Sequence, residues 1–169
     1  PMTLAYVMTQ SPGVTDKMIS DFAISLARDG ARLAGIVQTN VDCSDMRRCD
    51  MDVRVLPDGP VFRISQSLGP QARGCRLDPA ALEEAVAAVS ASLVEPPDFL
   101  IINKFGKHEA EGRGFRDVIG QCIADEIPVL LAVNAKNLDA FLDFSGGLAC
   151  MVDPDIAALK AWSRTCRAP

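Results

Sequence analysis

The chain has one histidine, one tryptophan and one tyrosine, and aromatic residues fill only 5% of its 169 positions. Its apolar bulk is instead Ala, Val, Leu and Ile in short runs, the pattern of α/β packing. No run approaches the ~20 apolar residues of a membrane span. The opening PMTLAYVMTQ lacks a basic stretch, a long apolar core and a cleavage signal, which predicts a cytoplasmic protein. Cationic excess is missing too. Lys and Arg number 17 against 22 Asp and Glu, a net charge of −5 that disfavours nonspecific nucleic-acid binding. At 18.1 kDa the chain has the size of one domain, and it is read as a single domain over residues 1–169 with neither repeats nor low-complexity tracts.

The six cysteines are scattered, with neither a CxxC nor a CxxH pair, and in a reducing compartment they are expected as free thiols. Cys43, Cys49 and Cys75 are the candidate metal ligands, because three thiolates with His108 could hold zinc.

What is present is an ordered alternation. Leu4 to Met8 predicts a strand, TQSPGVT a loop, and Ile19, Phe22, Ala23 and Leu26 one face of a helix that stops at Asp29-Gly30. Leu33 to Val37 completes a βαβ unit with a right-handed crossover. Between about 40 and 74 the pattern changes: Asp52 to Leu56 and Val61 to Gln66 flank PDGP and read as an inserted hairpin. Asp78-Pro79 starts a helix carrying Leu82, Val86, Val89 and Leu93. After Asp98, the run Phe99 to Ile102 suits a strand buried on both faces of a parallel sheet, stopping at Asn103 and Lys104. Phe115 to Ala124, Leu138 to Phe144 and Ile156 to Thr165 read as helices, and Val129 to Val133 and Leu148 to Val152 as strands.

Ligands gather at the carboxyl ends of strands in open α/β sheets, which directs attention to two loops. SPGVTDKM has the placement of a phosphate-binding loop, where backbone N–H groups around Gly13 and the positive end of a helix would face an anion. The GxxxxGK[ST] pattern is absent. Thr15 and Lys17 are the other candidate ligand residues there, with Asp16 opposing an anion; an ordinary turn fits the same letters. In the second loop Lys104, Lys107, Arg113 and Arg116 would form a positive rim for phosphate or another oxyanion, with the neutral Asn103 amide adding to the grip, and a solvated surface is the alternative. Glu109 and Glu111 are the nearby carboxylates, and Glu109 is the catalytic candidate if the protein is an enzyme. NKFG matches only part of the guanine-reading NKxD element, since Gly106 stands in the aspartate's place.

Pro12-Gly13-Val14, Gly106, Glu109, Phe115, Arg116 and Pro128 fit a pattern that resembles the small P-loop nucleoside-triphosphatases of the thermophilic, cancer-related type. Thr15, Asp16 and Lys17 replace that family's Gly, Lys and Thr, and Asn103 and Lys104 replace its catalytic Asp and Glu. ISQSLG, GCRLD and NKFGKHEAEGRGFR resemble more closely an uncharacterised bacterial family associated with molybdate uptake. The resemblance implies a three-layer P-loop-like α/β fold with a mostly parallel sheet and degenerate nucleotide-hydrolysis motifs, and a link with molybdate or tungstate handling.

Together these readings predict a non-hydrolysing or weakly active binding protein for a nucleotide, another phosphate-bearing ligand or an oxyanion. One alternative is a nucleoside-triphosphate phosphohydrolase with altered catalytic residues. Another is a protein-interaction module for a transport ATPase.

Overall fold

Seven strands and six helices follow one another in a computed structural model that describes residues 2–11, 13–41, 49–66 and 77–167. The order is β1 (Leu4–Met8), α1 (Val14–Arg28), β2 (Leu33–Val41), β3 (Asp50–Val55), β4 (Val61–Arg63), α2 (Pro79–Ser92), β5 (Phe99–Phe105), α3 (Lys107–Ala110), α4 (Arg116–Ala124), β6 (Val129–Val133), α5 (Leu138–Ser145), β7 (Ala149–Met151) and α6 (Ile156–Arg167). All strands join one sheet in the order β4-β3-β2-β5-β6-β1-β7. The five from β2 to β7 in that order are parallel, while β3 and β4 extend the β2 edge in antiparallel fashion.

The central strand is β5, and its side chains alternate between two cores. Leu100 and Ile102 enter a cluster with α2, α4 and α5, whereas Phe99 and Ile101 enter another with α1 and α6. Helices thus cover both faces, the arrangement that parallel strands require. β5 does not stop at Asn103, as its polar letter suggests. It runs on to Phe105, with a register shift against β6 between Ile102 and Phe105 that returns Phe105 to the Leu100 and Ile102 side. Asn103 is consequently a buried strand residue and Lys104 an exposed one.

Local chemistry sets the helix ends. The Asp78 carboxylate accepts from the Ala80 and Ala81 N–H groups at 3.0 and 3.3 Å, with Pro79 at the first turn. α1 buries Ile19, Phe22, Ala23 and Leu26 and ends at Asp29 before Gly30. In the closing helix, Trp162 stacks edge-on against Phe99 and donates its indole N–H to the Met2 carbonyl at 3.0 Å.

β2 approaches β5 most closely at Gly35. Its φ of 112° lies in the region that favours glycine, and an added Cβ would stand 1.8 Å from the Ile101 carbonyl oxygen. Since Ile101 is backbone in the centre of the sheet, no side-chain rotation can relieve that overlap. Gly35→Ala is expected to lower stability by more than about 2 kcal/mol, read as a reduced urea midpoint. An unchanged midpoint would show that β2 can move away from β5.

Candidate functional site

Where β2 and β5 run out beside the first turn of α1, four polar side chains close into a ring. The Asn103 amide donates to one Asp16 carboxylate oxygen at 2.8 Å and to the Gln38 carbonyl at 3.4 Å. Gln38 donates in turn to the Asn40 carbonyl at 3.0 Å, and Asn40 donates to the second Asp16 oxygen at 2.8 Å. Asn103 and Gln38, 2% and 7% exposed, form the floor, and Asp16 and Asn40 the half-buried rim. Alternation along β5 explains the placement: Asn103 continues the Phe99 and Ile101 face, on which α1 packs. The Asp16 carboxylate also lies in the first turn of α1, where the helix dipole favours negative charge.

The first loop is tied up locally. Thr15 is buried and its hydroxyl accepts from the Gln10 N–H at 2.8 Å, while Gly13, with φ 83°, turns the chain into α1. Lys17 lies on the outer surface of α1, where its ammonium pairs with Asp21 at 2.7 Å. The structure therefore brings Asn103 to the loop and directs Lys17 to a carboxylate one helical turn along.

The second loop is organised around Glu109, a carboxylate only 4% exposed. One oxygen accepts from the Gly106 N–H at 2.8 Å and the other from the Phe115 N–H at 3.0 Å, which fixes both ends of the loop on one side chain. A Cβ on Gly114 would fall 1.7 Å from that carboxylate, so the close passage requires glycine. Glu83 from α2 accepts from the Gly114 N–H at 3.2 Å.

One carboxylate, Glu111, offsets part of the positive rim. Lys107 and Arg113 both reach Glu111, Lys107 at 3.9 Å, and the Arg113 hydrogen bond, followed by Lys107, holds the Glu111 carboxyl below its ordinary value. The Arg116 guanidinium lies 5.0 Å above the Phe144 ring. Lys104, exposed, makes no ion pair among the described residues.

Cys49 is buried and disulfide-bonded, which departs from the expectation of free thiols throughout. Cys43 and Cys75 lie outside the described residues. Cys122, Cys150 and Cys166 are free, and burial pushes the Cys122 thiol up to about 11. Among the described residues no cluster of three or more His, Cys, Asp or Glu side chains could hold a metal ion, and no helix is long and apolar enough to cross a membrane. Two clefts, one lined by Leu93, Pro96 and Cys122 and the other by Arg32, Pro57 and Pro97, open at the sheet's other end.

Gln38 and Asn40 are the ring members that reading the sequence leaves unassigned, and Asp16, expected only to oppose an anion, is the acceptor that joins Asn40 and Asn103. The signal is there in the spacing: Gln38 and Asn40 stand two apart where β2 turns polar.

A mostly parallel sheet with helices on both faces and its polar cluster at the strand ends defines a three-layer α/β fold. A solved human cancer-related nucleoside triphosphatase superposes with a TM-score of 0.67 at 18% identity, covering 99% of this chain and 97% of that one. THEP1 of the hyperthermophile Aquifex aeolicus gives 0.63 at 15% identity, over 96% and 95%. The chain belongs to the DUF2478 family, described as a protein of unknown function, whose pattern matches residues 4–162. It is also 37% identical over 164 residues to the molybdenum import ATP-binding protein ModC 2 of Bradyrhizobium diazoefficiens. That match takes in 97% of this chain but only 18% of the relative.

Two measurements test this geometry. Glu109→Gln replaces a double acceptor by a single one and turns an amide donor on a backbone N–H, so it should lower stability by about 2 kcal/mol in chemical denaturation. No loss would mean that the loop ends are held by other contacts. Native Cys122 should resist a thiol reagent at pH 8 and react once the protein is unfolded, because the reactive thiolate is suppressed by burial. Rapid labelling of Cys122 in the native state would contradict its placement on the buried face of α4.

Proposed function

We propose that this chain is a non-hydrolysing binding module with a P-loop-like fold, which holds a phosphate-bearing ligand or an oxyanion at the carboxyl ends of its strands and acts beside a transport ATPase in molybdate uptake. The observation that carries the loss of hydrolysis is the ring itself. Phosphoryl transfer needs cationic groups on the phosphates and carboxylates for Mg²⁺ and the attacking water. Here a carboxylate, Asp16, meets a neutral amide, Asn103, at 2.8 Å. Lys17 is drawn to Asp21.

Binding is supported by the left-handed turn at Gly13, which opens the start of α1, and by Lys104, whose ammonium is not engaged in an ion pair among the described residues. The uptake role draws on the relative named as a molybdenum import ATP-binding protein, in which the matching segment is part of a longer chain. The same observation favours a second reading, an interaction module whose partner is the ATP-binding part of a transporter. The hydrolase alternative relies on Glu109, but both of its oxygens already accept backbone N–H groups.

The test is thermal stabilisation of the phosphate-free protein by ATP, ADP, GTP, phosphate, molybdate and tungstate, with and without Mg²⁺. At 100 times its dissociation constant a ligand adds about 2.7 kcal/mol, a visible shift. Lys104→Ala should weaken the response more than Lys107→Ala, because Lys107 already faces Glu111. Turnover of ATP with Mg²⁺ should stay at background. Sustained turnover would refute the non-hydrolysing reading, and the absence of any shift would leave the interaction module.

A further inference from the structure

Asp16 is held as a ligand is held. Its two oxygens each take one side-chain amide N–H, from Asn103 at 2.8 Å and from Asn40 at 2.8 Å, and these amides come from the ends of two different strands. Each amide has a second partner beside Asp16. Gln38, itself 7% exposed, donates to the Asn40 carbonyl and accepts from the Asn103 amide, so one buried side chain sets both. The two N–H groups form a prepared fork with the spacing of two oxygens of one anion, and the carboxylate filling it comes from a half-buried residue at the solvent rim.

A second observation says which anion. The Asn103 carbonyl oxygen is buried and has no hydrogen-bond partner among the described residues. The amide cannot be reversed to relieve this, because the carboxylate next to it requires the N–H₂ end. Leaving a buried acceptor unpaired is unfavourable. A ligand that brought two oxygens for the fork and one O–H within reach of this acceptor would satisfy every group, whereas an anion with no proton, placed against it, would set lone pair against lone pair.

We infer that Asn40 and Asn103 form an oxyanion site that Asp16 occupies from within the chain, and that the ligand displacing Asp16 is a phosphate group retaining one proton. This rests on the oxyanion reading of the proposed function and narrows it. Hydrogen phosphate or a singly protonated phosphate ester fits, while molybdate, tungstate and sulfate, which carry no proton at neutral pH, fit poorly. Gln38 is the positioning residue. Asp16 is an internal competitor, so the observed affinity is the intrinsic one reduced by the fraction of molecules in which the fork is free.

The experiment is calorimetric titration of the phosphate-free protein with inorganic phosphate, sulfate and molybdate at one neutral pH. Asp16→Ala should bind phosphate at least about tenfold more tightly than the wild type, as expected when a competitor is removed, and should prefer phosphate to sulfate and molybdate. Asp16→Ala combined with Asn40→Ala should lose the gain. Asp16→Ser, which keeps a short polar side chain in the first turn of α1, is the substitute if the alanine variant fails a circular-dichroism check of folding. An unchanged phosphate affinity in Asp16→Ala would overturn the inference, and so would a gain that survives loss of Asn40 or a gain equal for all three anions. If Lys104→Ala weakens anion binding while Asp16→Ala alters nothing, the binding module stands and the internal competitor does not. If no variant binds any anion, both fall.

Discussion

β5 has no solvent side. From Phe99 to Ile102 each side chain is buried, against α2, α4 and α5 on one face and α1 and α6 on the other, with β2 and β6 hydrogen-bonded along its edges. A strand in that position tolerates apolar residues and closely fitted neighbours only, and Gly35 on β2 records the second demand. The same enclosure extends past the end of the apolar run. Asn103 is still inside the protein, so its amide must find partners, and the nearest are the first turn of α1 and the end of β2. The polar ring is thus the price of continuing a buried strand by one polar residue.

Two carboxylates solve the same electrostatic problem in different ways. Asp16 is surrounded by neutral amide donors from other strands and by the dipole of its own helix. Glu109 is satisfied by backbone N–H groups that it pulls together across the loop. In both cases hydrogen bonds to the carboxylate oxygens take the place of a paired cation, the form of compensation that leaves lysine and arginine side chains outside. Lys17, Lys107 and Arg113 accordingly find their carboxylates, Asp21 and Glu111, at the surface.

The sheet strands and long helices are legible because local signals agree with packing. Asp78-Pro79 caps α2, the apolar face of α1 contains the four expected residues, and Val129 to Val133 is a strand with the expected bounds. The site is less legible, since what decides it is burial. Asn103 and Lys104 look like the start of a loop, and only the register shift beside β6 keeps the strand going to Phe105. The four-residue α3 has too little length for a periodic signal, and Glu109 reads as one more charge in a polar run until its depth is known. Lys17 could have been placed from sequence, because Asp21 stands four residues further along the same helix. Asp16 could not, because its partners are 24 and 87 positions away.

The Trp162 hydrogen bond to Met2 has a topological consequence. It sets the beginning of the described chain against the middle of its last helix, so the polypeptide enters and leaves the fold on one side. The lone indole, buried where the two ends meet, acts as the clasp.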